Sequence, residues 1–243
     1  MSVISGTREW AVAEINCCIG CPYECRYCYA RTKALKENSI ASADDWASVR
    51  VVESELTRKY PLFSGQVMFP ASHDIVPENL DGCLSVICRL LAKGNQVLIV
   101  SKPAPEIIAR ICDQCTGWKQ QILFRFTITA RNQEILGFWE PGAPGYEQRR
   151  KALEIAAERG FATSVSIEPM LDADDIFGLV DDLSPLVSHS IWVGLMNRIP
   201  ERVTVDSLTA RQEVERGRQG AHGARPWARG HDVAGLPGPA ARA

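Results

Sequence analysis

The sequence predicts an α/β domain built on a parallel sheet, and two observations carry that reading. Apolar, β-rich runs alternate six times with amphipathic stretches of helical periodicity, and strands separated by helices pair in parallel through right-handed crossovers. The chain also has 243 residues, 46% of them hydrophobic, enough for one large core. This alternation allows an open doubly wound sheet or a curved partial barrel, and periodicity does not choose between them.

Each element has its own signal. Residues 10–15 form the first apolar run, and a cysteine-rich loop follows it directly. Residues 26–36 and 44–59 read as helical, the second capped by Ser42 or Asp44. Residues 66–69 make the second strand. A helix over 77–92 follows, started by Pro77 and stopped by Gly94. Residues 96–100 make the third strand and 105–113 the next helix. Residues 122–129 make the fourth strand, before a Pro- and Gly-rich loop at 140–145. A strong helix over 146–159 ends at Gly160. Residues 162–167 and 190–193 complete the six strands, with 176–183 helical between them.

From about Arg211 the composition changes. Of the last 33 residues, 22 are Ala, Gly, Arg or Pro, too few large apolar groups to offset the entropy of ordering. The expected organisation is a core over 1–205 and a disordered low-complexity tail over 206–243, a residue mix that out-of-frame translation of a GC-rich gene also yields. Net charge is −2, so no global positive field draws the chain to nucleic acid or anionic membranes, though a local basic cleft is compatible with it. No run of eighteen apolar residues and no basic-then-apolar leader is present, which suits a cytoplasmic protein away from membranes. Nine cysteines in a reducing compartment read as metal ligands or small buried hydrophobes.

The chemistry concentrates between Cys21 and Cys28, Cys-Pro-Tyr-Glu-Cys-Arg-Tyr-Cys. Three thiols at Cys-x3-Cys-x2-Cys spacing suit a four-iron cluster, which four cysteines ordinarily close. A cluster held by three keeps an open coordination position, as catalytic metal sites do. The alternative is a zinc knot pairing Cys25 and Cys28 with Cys112 and Cys115.

Cys21, Cys25 and Cys28 with the aromatic Tyr27 resemble the radical S-adenosylmethionine signature. Within that superfamily residues 14–200 are most similar to the spore photoproduct lyase family. The similarity rests on the loop from Asn16 to Arg31, on Asp74-Ile75-Val76, on Lys102, and on Glu140-Pro141 followed by Arg149. The resemblance implies a six-unit partial (β/α) barrel with its chemistry at the carboxyl ends of the strands. It also implies a [4Fe-4S] cluster on Cys21, Cys25 and Cys28, S-adenosylmethionine as cofactor, and an external electron donor of flavodoxin or ferredoxin type. Candidate cofactor contacts are Tyr29 against the adenine, His73 near the methionine amino group, Lys102 for the carboxylate, Thr127 or Thr129 for a hydrogen bond to the cofactor, and Glu168 for the ribose or the substrate. Reductive cleavage then yields a 5′-deoxyadenosyl radical that acts on an unidentified substrate. Catalytic residues beyond these are not assigned.

One departure limits the resemblance. Lesion-repairing members place a hydrogen-donating cysteine near the end of the second strand, where this chain has Ala71. A methyl group does not donate a weakly bound hydrogen. Lesion repair on nucleic acid is therefore the second reading, and a non-catalytic iron–sulfur or zinc module the third.

Overall fold

The structure, a computed structural model, describes residues 6–224. Strand β1 (Ala13–Glu14) opens the sheet, and β2 (Cys18–Ile19) follows within the cysteine loop. Helix α1 (Tyr29–Lys36) precedes β3 (Arg50–Val51), which pairs antiparallel with β2 in a separate ribbon. The chain continues through α2 (Glu53–Thr57), β4 (Val67–Phe69), α3 (Leu80–Ala92), β5 (Val97–Ser101), α4 (Pro105–Gln114) and β6 (Ile122–Thr127). It then forms α5 (Gln133–Trp139), α6 (Tyr146–Glu158), β7 (Ala162–Ile167), α7 (Ile176–Leu183), β8 (Ser190–Val193), α8 (Ile199–Arg202) and α9 (Leu208–Ala224).

The main sheet has the order β1-β4-β5-β6-β7-β8, parallel throughout, with β1 and β8 at its two edges. This is the partial barrel expected, with six strands in sequence order and no closure. Side chains alternate between its faces. Val67, Phe69, Val97, Ile99, Phe124, Phe126 and Val165 join the buried residues of α3, α4 and α6 in one continuous core. Met68, Leu98 and Leu123 face the other way, into a small cluster with Trp10 and Val100. Glycine ends α3 and α6 with a left-handed residue, Gly94 at φ +92° and Gly160 at φ +77°.

Four expectations change. Residues 44–59 are not one helix: Asp44–Ala47 is a 3-10 turn, and Val51 pairs with Cys18 across the ribbon before the short α2. Val49, Val51 and Val52 favour extended backbone. β6 ends at Thr127, two residues early, and β1 keeps only Ala13 and Glu14 of 10–15. Helix α5 was not anticipated; its signal is Asn132, whose Oδ1 accepts from the amides of Glu134 (2.9 Å) and Ile135 (3.3 Å). Finally, residues 208–224 of the expected tail form α9, which buries Ala210 and Val214, while 225–243 lie outside the described residues. Among the described residues no helix is long and apolar enough to cross a membrane.

Candidate cofactor site

The loop from Cys21 to Cys28 sits over the carboxyl ends of the strands and is pinned from both sides. The Cys21 amide donates to Trp46 O (2.7 Å), and the Arg26 amide to Trp139 O (2.9 Å). Arg26 Nε donates to Phe138 O (2.8 Å), with its guanidinium over the Phe138 ring. Cys28 caps α1, its Sγ accepting from the Arg31 amide at 3.4 Å. Two glycines make the packing feasible. A Cβ on Gly20 (φ +98°) meets Ser48 O at 2.1 Å, and one on Gly142 meets Pro22 O at 2.4 Å. Gly20→Ala is therefore expected to cost more than about 1 kcal/mol, read as a lower urea midpoint, and to loosen the loop that begins one residue later.

Cys25 is buried, and Cys21 and Cys28 are half-buried. Burial pushes the Cys25 thiol up to about 12, against the pull of Lys102. Burial likewise raises Cys21, reinforced by Asp74. Thiols raised in this way become ligands when a metal displaces their protons. A single ion needs sulfurs within roughly 4 Å of one another. Among the described residues the group with ligand atoms within 4.8 Å of one another is Cys17, Cys18 and His73, not the loop trio. The wider spread of the loop thiols fits a multi-iron cluster, which the three would hold. The zinc knot does not form: Cys112 and Cys115 lie in the main core, while Cys25 belongs to a small separate cluster with Tyr23 and Val76.

Beside the loop lies a buried charged network. Glu140 receives the Tyr27 hydroxyl, and the Thr129 hydroxyl at 3.1 Å. Arg149 Nη2 stands 2.5 Å from Glu140 Oε2, with both side chains at 0% exposure. Arg149 also donates from Nε to Pro144 O (2.6 Å) and from Nη1 to Thr127 O (3.2 Å). Burial alone raises the Glu140 carboxyl, but Arg149 and Lys102 reverse this and hold it below its ordinary range. Asp74 accepts from the amides of Ile75 (2.9 Å) and Lys102 (3.0 Å) and from the Ser101 hydroxyl (2.5 Å). Burial keeps the Asp74 carboxyl above its ordinary value despite Lys102.

The structure brings most of the sequence-derived cofactor residues to one rim. Lys102 and Glu168 each follow the last residue of their strands, β5 and β7, and Thr127 ends β6. Register sets Thr127, Ser166 and Trp192 on one rung, and Arg125, Ser164 and Ser190 on a deeper one. Lys102 Nζ lies 5.7 Å from the centre of the Tyr27 ring. Burial lowers its ammonium, but Cys25, Glu140 and Asp74 more than reverse this, so the net shift is upward. Tyr29 is 43% exposed, and its hydroxyl donates to Ala71 O. Burial raises the Glu168 carboxyl. Gly194 leaves room for it, since a Cβ there meets Glu168 Cγ and Cδ at 2.7 Å.

His73 is placed differently. Its Nδ1 lies 3.0 Å from Asp74 O and its Nε2 accepts the Cys17 amide at 3.1 Å, so both ring nitrogens are engaged by backbone. Sequence reasoning missed Arg125, whose guanidinium packs 4.7 Å from the Trp10 ring and 5.3 Å from the Trp192 ring, with Nε donating to Ser164 Oγ (3.1 Å). Its signal was a single charge inside the apolar run Ile-Leu-Phe-Arg-Phe. Asn16 was also missed as a brace: its Oδ1 accepts the amides of Ala71 (2.8 Å) and Ser72 (2.7 Å).

No protein-family model matches this sequence, and no curated protein matches it. Solved structures do. A spore photoproduct lyase double mutant with bound AdoMet and dinucleoside spore photoproduct superposes with a TM-score of 0.54 at 18% identity, covering 90% of this chain and 62% of that one. A cysteine-to-serine mutant of spore photoproduct lyase gives a TM-score of 0.54 at 19% identity, covering 91% and 62%. The chain spans about three fifths of those proteins' length and shares their fold, the partial barrel that the cluster-loop resemblance implied.

Proposed function

We propose that this chain is a radical S-adenosylmethionine enzyme. The observation that carries the reading is the juxtaposition of three non-disulfide thiols with a half-buried cation, Lys102, at the carboxyl rim of a parallel partial barrel. In this reading Cys21, Cys25 and Cys28 hold a four-iron cluster, which supplies the electron that cleaves S-adenosylmethionine into methionine and a 5′-deoxyadenosyl radical. Lys102 complements the cofactor's carboxylate, oriented by Asp74, whose carboxylate accepts its backbone amide. Tyr29 would offer its partly exposed ring to the adenine, while Thr127 and Glu168 would hydrogen-bond the ribose hydroxyls. His73 holds the Cys17 backbone and so fixes where the cysteine loop begins. Arg125 and the two tryptophans wall off the deeper lumen from water, which protects a radical from quenching.

An external one-electron donor of flavodoxin or ferredoxin type, a cytoplasmic setting and an unidentified substrate complete the reading. The test is anaerobic reconstitution of the full chain with iron and sulfide, followed by reduction in the presence of S-adenosylmethionine. A four-iron spectrum with release of 5′-deoxyadenosine is expected, and Cys25→Ala should abolish both. Reconstituted protein with no cubane iron and no deoxyadenosine would overturn the proposal.

Lesion repair is the second reading, favoured by the shared fold and opposed by Ala71. Its backbone is tied at both ends, by Asn16 and by Tyr29, so no neighbour readily slides into its place. The native chain is expected to leave a dinucleoside spore photoproduct unreversed under turnover conditions, as followed by chromatography. Appearance of free thymidine dinucleotide would promote repair to the first reading.

A further inference from the structure

Beneath the cysteine loop, in the packed core between the ribbon and α3, lies a second group of sulfur and nitrogen ligands that the proposed radical chemistry does not use. Cys17 Sγ stands 3.7 Å from Cys18 Sγ, 3.7 Å from Cys83 Sγ and 4.0 Å from His73 Nε2. One ligand atom from each of Cys17, Cys18 and His73 lies within 4.8 Å of the other two. All four residues are buried, the three cysteines at 3% exposure or less and His73 at 8%.

We infer that Cys17, Cys18, Cys83 and His73 form a second metal site, for a single structural zinc ion. Zinc–sulfur bonds of about 2.3 Å at tetrahedral angles hold sulfurs roughly 3.8 Å apart, and Cys17 already keeps that distance from two thiols. The histidine is oriented as zinc ligands usually are, with its other ring nitrogen hydrogen-bonded to a backbone carbonyl, here Nδ1 to Asp74 O. The Nε2 lone pair consequently faces Cys17, where the Cys17 amide now occupies it at 3.1 Å. Uptake of zinc trades that hydrogen bond for a zinc–nitrogen bond. Zinc–sulfur bonds form as S–H bonds break, the protons leave to solvent, and no electrons change hands. Because all four ligands are buried, the ion enters as the chain folds and becomes part of its stability. Its position ties the start of β2, just ahead of the cysteine loop, to α3 and the segment after β4. Simple core packing of three small thiols is the rival account, and it predicts no metal affinity.

The test uses the full chain carrying Cys21→Ala, Cys25→Ala and Cys28→Ala, so that its outcome is independent of the iron cluster. Expressed in zinc-supplemented medium, this protein is expected to hold about one zinc per chain by elemental mass spectrometry. Its X-ray absorption should show sulfur near 2.3 Å together with imidazole nitrogen near roughly 2.0 Å. Adding Cys17→Ser and Cys83→Ser should drop occupancy below roughly a tenth, whereas adding Cys88→Ser, Cys112→Ser and Cys115→Ser should leave it unchanged. Absence of zinc, a shell without sulfur, or occupancy that survives Cys17→Ser with Cys83→Ser would each overturn the inference. If circular dichroism shows that the Cys17 and Cys83 variants do not fold, the absorption shell of the folded loop variant still decides.

Discussion

Arg149→Met is expected to lower folding stability by roughly 3–5 kcal/mol, the penalty for stranding the partner of a fully buried ion pair. Glu140 would keep the Tyr27 and Thr129 hydroxyls but lose the guanidinium 2.5 Å away. The carbonyls of Pro144 and Thr127 would lose their donors as well, and orphaned buried acceptors add to the loss. Urea unfolding followed by circular dichroism measures the change directly. Glu140→Gln in the same chain should recover part of it, because an amide lacks the charge that burial penalises. A single variant within about 1 kcal/mol of the native chain would mean the pair behaves like a surface bridge, contrary to its burial. The same pair sets an acid limb. The Glu140 carboxyl is held low in the fold, so its contribution is complete above the ordinary glutamate value of about 4.3 and fades as pH falls through the folded value. That limb should flatten in the double variant.

How far the sequence revealed this architecture depends on the range of the interactions involved. β7, β8 and α7 appear with the expected bounds, because clear punctuation brackets each of them: Gly160 lies before β7, and Pro185 lies between α7 and β8. The β2–β3 ribbon was illegible. Each of its strands is two residues long and its pairing joins residues more than thirty apart, Cys18 with Val51 and Ile19 with Arg50. Local periodicity over 44–59 therefore suggested a helix that tertiary pairing overrode. The cysteine spacing was legible because ligand geometry is written into adjacent residues. The rim residues Lys102, Thr127 and Glu168 were legible only as positions at strand ends, and the register then brought them to one side. What no local pattern carried was the convergence of Cys17 and Cys18 with Cys83 and His73, separated by more than fifty residues. Arg125 is intermediate: an isolated charge in a strand flags itself, but its tryptophan neighbours come from either end of the sheet.

Lys102→Met is expected to weaken S-adenosylmethionine binding to the reconstituted protein about 10- to 100-fold, the range of one charge-assisted hydrogen bond of roughly 1.5–3 kcal/mol. Three negative or potentially negative groups, Cys25, Glu140 and Asp74, hold the ammonium charged, so at neutral pH it is a permanent cation rather than a proton donor. In the proposed reading the lysine is the electrostatic anchor for the cofactor's carboxylate, and Lys102→Arg should restore much of the affinity by keeping the charge. A purely structural role makes a different forecast. Removing the cation beside Asp74 and Glu140 would then lower the urea midpoint while leaving the dissociation constant of the folded fraction unchanged. Equilibrium binding and urea unfolding on the same preparations separate the two. Affinity retained in the methionine variant would remove the cation from the cofactor's contacts. Affinity lost there and regained with arginine would tie the charge at the end of β5 to the ligand, because arginine's different shape leaves charge as the property the two functional side chains share.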